Sequence, residues 1–329
     1  MKILVTGANG FIGSRIVENL VSSNYEVNIL VRNTSNLSML SNVLDKVKIF
    51  YGEIRDKESL IEPVKNSDLI IHCAAVLRCI KSETYYEVNH KGTKNLIETV
   101  ISYTPNLKGI IYLSSQAASG PSENFNFKTI KDISLPVSDY GRSKLLAEQE
   151  LLKYSDRIKT IILRPAAVYG PYDKDMFLYF KLAQMGILPL FNSNFYIQFV
   201  YVYDLVEVVN RIVKKIEVIP SGVFFIAEDK CYSGAEVKDI FSKIFNKKIK
   251  MLVISYFIGY IYAYLNEKFY QVFYKKPAVF NRDKLKELSR SFWMCYSSDI
   301  KAYFPDFEYT MLQDGVKKTY EWYKKVGWL

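Results

Sequence analysis

The glycine-rich turn near the start of the chain constrains its fold more than any other feature. Residues 6–13 read TGANGFIG, so glycines recur at every third position directly after an apolar segment, residues 2–6. Residues 15–22 then carry the apolar spacing of an amphipathic helix. A strand that passes through such a turn into a helix is typical of a phosphate-binding corner.

Each residue of the turn has a physical role. Gly7 allows a sharp turn after the strand, Gly10 lets a pyrophosphate approach the backbone, and Gly13 lets the helix pack closely. Phe11 and Ile12 occupy the start of the helix, where free N–H groups and a partial positive charge face the phosphates. We therefore expect these five residues to bind a nicotinamide dinucleotide.

Apolar strands and amphipathic helices alternate along the N-terminal half. Strands are predicted at residues 27–31, 47–51, 69–73, 109–113 and 159–163, and helices at residues 38–44, 59–64, 83–103 and 142–154. Such alternation implies right-handed crossovers between parallel strands, with helices on both faces. The predicted fold class is α/β, with a doubly wound parallel Rossmann sheet.

The alternation breaks after residue 170, where aromatic segments and turn signals replace it. The prediction is an NAD(P)-binding Rossmann domain at residues 1–170, to which residues 199–227 return. Residues 171–329 are predicted to form mainly a smaller, partly interleaved C-terminal α/β domain that binds the substrate.

The residue after the second strand bears on the choice of cofactor. An acid at this place binds the ribose 2′-hydroxyl of NAD, whereas an arginine accommodates the 2′-phosphate of NADP. The sequence there is Leu30-Val31-Arg32-Asn33, without an acid. Arg32 favours NADP over NAD; an arginine that points to solvent or stacks on the adenine is the alternative.

Three residues fit a proton-transfer site. The strand at residues 109–113 is followed by Ser114-Ser115, and Tyr140 and Lys144 lie one helical turn apart. Hydride added to a carbonyl carbon leaves an alkoxide that needs a proton, and the phenol of Tyr140 is expected to supply it. The ammonium of Lys144 is expected to lower the pKa of that phenol and to bind the nicotinamide ribose, while Ser115 holds the substrate oxygen.

Together these features resemble the extended short-chain dehydrogenase/reductase family, also called the epimerase/dehydratase family. The landmarks are residues 6–13, 52–56, 72–75, 88–93, 113–115, 140–144, 163–171 and 199–204. The resemblance runs essentially end to end and is specific for the family, much less so for an activity. It implies that Ser115, Tyr140 and Lys144 are the catalytic triad.

The resemblance also implies roles along the cofactor. Ala74 and Ala75 match the segment that lines it, and Pro165 and Val168 match the segment beside the nicotinamide.

Three further positions belong to the adenosine end or next to it. Ile54 stands where the family packs the adenine, and Glu53 stands where the family usually carries an aspartate. Asn89 is grouped with the cofactor-binding positions, although bracing of the adjoining helix and strand is the simpler interpretation.

Two departures from the family bear on the substrate. Ala167 replaces an asparagine that its nucleotide-sugar enzymes commonly carry, and Gln198 replaces an arginine. Both changes remove polar groups expected near a sugar diphosphate. They resemble the branch of dihydroflavonol reductases and 3β-hydroxysteroid dehydrogenases, which act on apolar ketones or alcohols.

Composition argues against several other classes of function. The formal charge is +10, but the lysines form scattered pairs, so no nucleic-acid partner is predicted. The four cysteines and two histidines have no metal-ligand spacing, so no metal is predicted. The N-terminus has no secretory pattern, which predicts a cytoplasmic location.

The apolar segment at residues 251–274 has three interpretations. A buried helix that covers the substrate pocket is favoured. An interfacial helix flanked by lysines would give peripheral membrane contact. A transmembrane helix is the third, although a span needs about 20 apolar residues.

The predicted function is an NADP(H)-dependent reductase or dehydrogenase, with Tyr140 as general acid/base. It interconverts a ketone and a secondary alcohol on a small-molecule substrate that is largely apolar or lipid-like. The alternative is a nucleotide-sugar epimerase or dehydratase with tightly bound, recycled NAD. A non-catalytic dinucleotide-binding regulator is a third hypothesis, which the intact triad disfavours. Analogy with the family predicts a homodimer.

Overall fold

The computed structural model describes residues 1–329. The strands are β1 Lys2–Thr6, β2 Glu26–Val31, β3 Val47–Tyr51, β4 Leu69–His72, β5 Ile110–Leu113, β6 Thr160–Pro165, β7 Ala167–Tyr169, β8 Ile187–Leu190, β9 Tyr196–Ile197, β10 Phe199–Tyr201, β11 Gly222–Ile226, β12 Tyr232–Ser233, β13 Lys250–Val253 and β14 Phe292–Trp293. The helices are α1 Phe11–Ser22, α2 Glu58–Lys65, α3 Glu83–Tyr85, α4 Gly92–Tyr103, α5 Gln116–Ser119, α6 Asp139–Leu152, α7 Lys174–Gln184, α8 Val202–Lys214, α9 Gly234–Phe245, α10 Tyr256–Phe269, α11 Arg282–Leu288, α12 Ser298–Lys301 and α13 Leu312–Lys325.

Seven strands form the central sheet, in the order β11-β6-β5-β4-β1-β2-β3. All of its pairings are parallel. The order reverses between β1 and β4, and open α/β sheets bind ligands in the crevice outside the carboxyl ends of such strands. The predicted doubly wound parallel Rossmann sheet is confirmed.

Alternate residues of the strands pack into cores on the two faces of the sheet. Ile3 and Val5 of β1 face a core that includes α1 and α8, whereas Leu4 faces a core with α2, α4 and α6. Successive strand residues point to opposite faces, so these apolar strands have to be covered on both. Each fully buried Leu or Ile contributes about 1.5–3 kcal/mol.

The chain after β7 contributes to the main core and to a second one. β11 is an edge strand of the central sheet. Phe180, Phe241 and Tyr323, from α7, α9 and α13, share a separate apolar core. Phe304 and Phe307 pack in the same core as the first strands of the sheet. The division of the chain into domains at residue 170 stays a prediction.

Two predicted helices differ from the structure. Residues 38–44 do not form a continuous helix, but only short 3₁₀ turns. The side chain of Asn36 accepts from the N–H of Ser38 at 2.8 Å, which favours a local turn. The predicted helix at residues 83–103 contains a π-helical turn, Tyr86–Lys91.

The apolar segment that begins at residue 251 also differs. It divides into β13 and α10, because Ser255 caps the helix by accepting from the N–H of Ile258. The favoured interpretation of a buried helix is wrong, since only Gly259 and Ala263 of α10 are buried.

None of the helices combines the length and the apolarity that crossing a membrane requires.

Candidate active site

The glycine turn lies at the crevice between β1 and β4. Gly7 has a φ of 67°, and a β-carbon on it would lie 2.6 Å from the backbone nitrogen of Ala74. A β-carbon on Gly13 would collide with the carbonyl oxygen of Gly7. Glycine is therefore required at both positions, and it allows α1 to lie against the turn.

The N-terminus of α1 has the groups that a pyrophosphate needs. Gly10 caps the helix without a side-chain hydrogen bond, and the first turn has no acidic residue. The first N–H groups of a helix have no partner within it, and they carry a partial positive charge. Phe11 and Ile12 belong to this turn and also line the cavity described below. The turn therefore fits a dinucleotide.

Ala74 lies beside the turn, where buried polar side chains hold the backbone, and Ala75 follows it in the chain. The N–H of Ala74 donates to Oγ1 of Thr6 at 3.2 Å, and Thr6 Oγ1 lies 2.6 Å from Nδ1 of His72. Nε2 of His72 lies 2.9 Å from Oγ1 of Thr93. Burial lowers the pKa of His72 to about 3, so its ring is neutral. His72 belongs to the landmark at residues 72–75, but its place between Thr6 and Thr93 was not predicted.

The residues predicted for the adenosine end have different environments. Arg32 directly follows β2, is exposed and forms no salt bridge. Glu53 is held in a salt bridge with Arg55. Ile54 is buried against Gly92, where a β-carbon would lie 2.7 Å from the Ile54 side chain. Arg32 is thus a free cation, whereas the carboxylate of Glu53 already has a partner.

The hydrogen bonds of Asn89 connect neighbouring segments of the chain. It is fully buried, and its Oδ1 accepts from the N–H of Val76 at 2.7 Å. Its Nδ2 donates to the carbonyl oxygen of Val76 at 3.1 Å and to Oγ of Ser143 at 3.0 Å. Both amide protons are therefore used to tie the loop after β4 to α6, and Asn89 supports the cofactor crevice indirectly.

Ser115 and Tyr140 meet between the end of β5 and the start of α6. Ser115 caps α5, and its Oγ accepts from the N–H of Ala117 at 3.1 Å. Ser138 caps α6, and its Oγ accepts from the N–H of Gly141 at 2.9 Å, so Tyr140 lies in the first turn. Ser115 and Tyr140 line the same cavity, and the Ser115 hydroxyl is among the groups that lower the pKa of Tyr140.

Lys144 lies one turn further along α6 and is almost completely buried. Its ammonium donates to the carbonyl oxygen of Leu113 at 2.6 Å and lies 4.1 Å from the ring centre of Tyr112. Burial lowers the pKa of Lys144 to about 7. The structure thus brings Ser115 and Tyr140 together at the cavity and places Lys144 behind them.

The charges around Tyr140 differ from those predicted. Burial, and then the carboxylate of Glu287, raise the pKa of Tyr140 to about 12. The Ser115 hydroxyl and the positive charge of Lys284 act in the opposite direction. Lys284 is the cation that lowers this pKa here, and the effect predicted for the Lys144 ammonium stays a prediction.

Helix α11 supports the start of α6 through residues that the sequence analysis did not identify. Asp283 accepts from the first two N–H groups of α6, at 2.8 and 3.1 Å. Glu287 accepts from Oγ of Ser138 at 2.6 Å and from Nζ of Lys284 at 2.8 Å. Asp283 lies 143 positions from Tyr140 and belongs to none of the recognised motifs, so no sequence signal points to it.

A buried ion pair holds the other end of this arrangement. Nη2 of Arg164 in β6 lies 2.6 Å from Oε2 of Glu148 in α6, and both side chains are buried. Oγ of Ser114 donates to Glu148. The pair therefore connects β6, α6 and the end of β5, where Ser115 follows. Loss of one partner from such a pair costs about 3–5 kcal/mol.

A cavity of about 390 Å³ opens beside Ser115 and Tyr140. Twenty-two of its 34 lining residues are hydrophobic, and Pro165 and Val168 are among the lining residues. The two hydroxyls thus face an apolar space next to the phosphate-binding turn. This arrangement suits proton exchange with a substrate oxygen.

The cavity contains few charged groups, and its cations are paired. The charged lining residues are Arg78, Asp173, Asp175, Asp283, Lys284 and Glu287. Arg78 lies 2.7 Å from Asp175, and Lys284 lies 2.8 Å from Glu287. Burial raises the pKa of Asp173 to about 7. The cavity therefore has no unpaired cation.

The family of this chain follows from a match that covers more than half of it. The model of the NAD dependent epimerase/dehydratase family matches residues 3–227. The chain belongs to this family.

Its curated relatives differ in their substrates. The UDP-glucose 4-epimerase of Vibrio cholerae is 33% identical over 58% of this chain and 60% of its own. The decarboxylating sterol-4-alpha-carboxylate 3-dehydrogenase of Dictyostelium discoideum is 30% identical over 52% and 55%. The ceramide reductase of Caulobacter vibrioides is 23% identical over 99% and 96%. The chain thus spans little more than half the length of the first two relatives.

Solved structures share the fold over the whole chain. DesIV, the dTDP-glucose 4,6-dehydratase of Streptomyces venezuelae with NAD and TYD bound, has a TM-score of 0.79 at 20% identity, over 100% of this chain and 98% of that one. MoeE5 in complex with UDP-glucose and NAD has a TM-score of 0.76 at 20% identity, over 99% of both chains. At 20% identity, these similarities show the fold alone.

Proposed function

We propose that this protein is an NADP(H)-dependent oxidoreductase that interconverts a ketone and a secondary alcohol on a largely apolar or lipid-like substrate. The cavity beside Ser115 and Tyr140 carries the proposal, because most of its lining is hydrophobic and both of its cations are paired. A sugar diphosphate calls for unpaired cations. An apolar substrate needs none and gains about 25 cal/mol for each Å² of apolar surface removed from water.

Two further positions support an apolar substrate. Gln198 is buried, its Nε2 donates to the carbonyl oxygen of Glu228 at 2.8 Å, and its Oε1 accepts from the N–H of Cys295 at 2.6 Å. Its amide is therefore engaged within the protein. Ala167 in β7 has no polar side-chain group to offer a sugar.

The chain supplies the proton and the charge stabilisation for this reaction. When bound, the nicotinamide supplies or accepts a hydride at the reacting carbon. Tyr140 gives its phenolic proton to the oxygen of the reduced carbonyl and takes it back in alcohol oxidation. Ser115 donates a hydrogen bond to that oxygen as negative charge develops on it. By resemblance to the family, Lys144 is assigned to the nicotinamide ribose.

Arg32 supports NADP as the cofactor. Its exposed guanidinium follows β2 and has no carboxylate partner, and the following residues Asn33, Thr34 and Ser35 are uncharged. A phosphate on the adenosine ribose would meet an unpaired cation there, whereas a free 2′-hydroxyl would find no acid to bind it.

The relatives give further support for a lipid-like substrate. The ceramide reductase of Caulobacter vibrioides aligns over almost the whole of both chains. A nucleotide-sugar epimerase or dehydratase with recycled NAD is the second candidate, which the UDP-glucose 4-epimerase of Vibrio cholerae favours.

The first test is to denature the purified protein, identify the nucleotide it releases, and titrate the emptied protein with NADPH and NADH. We expect no stoichiometric nucleotide, a preference for NADPH, and oxidation of NADPH by a medium-chain methyl ketone. Arg32→Gln should weaken NADPH binding by about tenfold or more and leave NADH binding unchanged. Stoichiometric NAD together with conversion of UDP-glucose would replace the proposal by the second candidate.

The second test concerns Tyr140. Tyr140→Phe removes the proton donor, and turnover of the methyl ketone should fall by about 10²–10⁴-fold with unchanged NADPH binding. Tyr179→Phe removes another hydroxyl from the same cavity and is the matched control, which should retain turnover. Equal activity of the Tyr140→Phe variant would refute the assigned role.

A further inference from the structure

Large apolar side chains are concentrated on one exposed surface of the protein. Fifteen of its 34 exposed large hydrophobic residues lie within residues 251–274. They are Met251, Leu252, Val253, Tyr256, Phe257, Ile258, Tyr260, Ile261, Tyr262, Tyr264, Leu265, Phe269, Val272, Phe273 and Tyr274. We call this surface the aromatic face. Large exposed apolar patches mark the interaction surfaces of soluble proteins.

Helix α10 has its small residues inward and its large residues outward. Only Gly259 and Ala263, one turn apart, are buried. A β-carbon on Gly259 would lie 2.9 Å from the ring of Phe191 and 3.1 Å from Leu285. Phe257 on the same helix is 72% exposed. A helix that only covers a protein core shows the opposite arrangement. The exposed side chains of α10 therefore suit contact with an apolar partner.

Lysines flank the aromatic face on both sides in the sequence. Lys247, Lys248 and Lys250 precede it, Lys268 lies within it, and Lys275 and Lys276 follow it, and all six are exposed. The one acidic residue of this stretch, Glu267, is bound to Arg282 at 2.8 Å. The segment therefore presents apolar side chains within a positively charged border.

We propose that the aromatic face docks on the surface of a lipid bilayer that contains anionic lipids. Aromatic and aliphatic side chains would enter the boundary between headgroups and acyl chains, and the lysines would meet lipid phosphates. Charge argues against a second copy of this chain as the occupant. A symmetric dimer brings the same patch of both subunits together, so the lysines of one copy would find no unpaired acidic residue on the other.

The aromatic face adjoins the cavity, which gives the docking a consequence for the substrate. Phe191 and Phe280 line the cavity and are stacked with ring centres 5.2 Å apart. Tyr262 of the aromatic face lies 5.7 Å from Phe280, ring centre to ring centre. One wall of the cavity thus lies directly beneath the docking surface. An apolar substrate would pass from the bilayer into the cavity, a step that rests on the proposed function.

The test measures flotation of the purified full chain with vesicles. Vesicles of phosphatidylcholine and phosphatidylglycerol should carry the protein upward more strongly than vesicles of phosphatidylcholine alone, and added NaCl should weaken this binding. Phe257→Ser combined with Phe273→Ser should lower the partition coefficient by at least about tenfold. Ile133→Ser combined with Val218→Ser is the control, because these residues are 77% and 71% exposed elsewhere.

A second pair of variants tests the charged border. Lys275→Gln with Lys276→Gln should weaken binding to the anionic vesicles only, whereas Lys324→Gln with Lys325→Gln, at the end of α13, should not. Absence of flotation with either kind of vesicle overturns the proposal. A dimer that dissociates when Phe257 and Phe273 are replaced, seen by sedimentation without any vesicle binding, overturns it in favour of a second copy.

The docking surface and the oxidoreductase assignment can be refuted independently of each other. The Phe257→Ser, Phe273→Ser variant should keep full turnover of a water-soluble methyl ketone, because neither residue lines the cavity. Flotation without turnover of any ketone would support the docking surface and contradict the oxidoreductase assignment. Turnover without flotation would support the oxidoreductase assignment and contradict the docking surface.

Discussion

At the scale of single residues, the environment of Tyr140 is set by α11 rather than by its neighbour on α6. Lys284 forms an ion pair with Glu287 at 2.8 Å and lines the cavity beside Tyr140. Burial disfavours its charge, but the carboxylate of Glu287 raises the pKa of Lys284 above its ordinary value. Lys284 is therefore a permanent cation in the physiological range, and it stabilises the phenolate of Tyr140.

Replacement of Lys284 should change the pH dependence of the reaction. Lys284→Met removes a charge that lowers the pKa of Tyr140, so this pKa rises. The phenolate is the form that accepts the alcohol proton, so the rising limb of kcat/KM for alcohol oxidation moves to higher pH. At neutral pH, oxidation should slow by about three- to tenfold. The measurement is a pH profile of kcat/KM with saturating NADP.

Lys286→Met is the control for this prediction. Lys286 belongs to the same helix, but it is not among the groups that act on the pKa of Tyr140. Its replacement should leave the rising limb of the kcat/KM profile at the same pH. If the rising limb also stays at the same pH in the Lys284→Met variant, Lys284 does not control the pKa of Tyr140.

At the scale of elements, α11 holds the start of the helix that carries Tyr140. Asp283 accepts from the first two N–H groups of α6, which have no partner within the helix. α10 is connected to α11, because Glu267 accepts from the N–H of Arg282 at 2.7 Å. The order of α6 at Tyr140 thus depends on residues far along the chain.

Asp283→Asn should impair turnover more than cofactor binding. The change replaces charge-assisted hydrogen bonds at the N-terminus of α6, so we expect about 1 kcal/mol less stability and a kcat lower by about tenfold. The dissociation constant of NADPH should hardly change. Asp204→Asn is the matched control, since Asp204 accepts from the N–H of Thr310 at 2.6 Å away from the cavity. An equal loss of kcat in both variants would indicate general destabilisation instead.

The sequence predicts the elements that local patterns encode. The glycine turn, the parallel sheet and the approach of Ser115 to Tyr140 all follow from strand, turn and helix signals close to the residues concerned. Asp283, Lys284 and Glu287 could not be found in this way, because a helix of seven residues reaches the site only through tertiary packing.

The exposure of α10 could not be predicted from the sequence for the same reason. Its apolar composition predicts burial, and only the packing of Gly259 and Ala263 against the protein reveals which side of the helix faces out.

At the scale of the whole molecule, the main core is closed by residues from the end of the chain. Ile300, Phe304 and Phe307 pack in the same core as Ile3 and Val5, all of them buried. The family model ends at residue 227, well before these side chains. The part of the chain that carries the family signature is therefore not expected to be a self-sufficient folding unit. The predicted homodimer and the cytoplasmic location stay predictions.

A fragment of residues 1–227 should not fold. It lacks Phe304 and Phe307 from the core and Asp283 from the start of α6. Circular dichroism during heating should show no cooperative transition. In the full chain, Phe304→Ala should lower the free energy of unfolding by about 3–5 kcal/mol. Phe125→Ala is the control at 57% exposure, and its effect should stay within about 0.5 kcal/mol. A fragment that melts cooperatively would contradict this interpretation.

The place of Ile300, Phe304 and Phe307 in the main core also sets a waiting time during synthesis. A ribosome adds about 5–20 residues each second, so roughly 15–60 s separate the appearance of Ile3 from that of Phe304. Throughout that interval α1 and α8 can cover this face of the sheet, but Ile300, Phe304 and Phe307 are missing from its core. The apolar surface that these three side chains cover in the folded protein is therefore exposed on the nascent chain for at least that long.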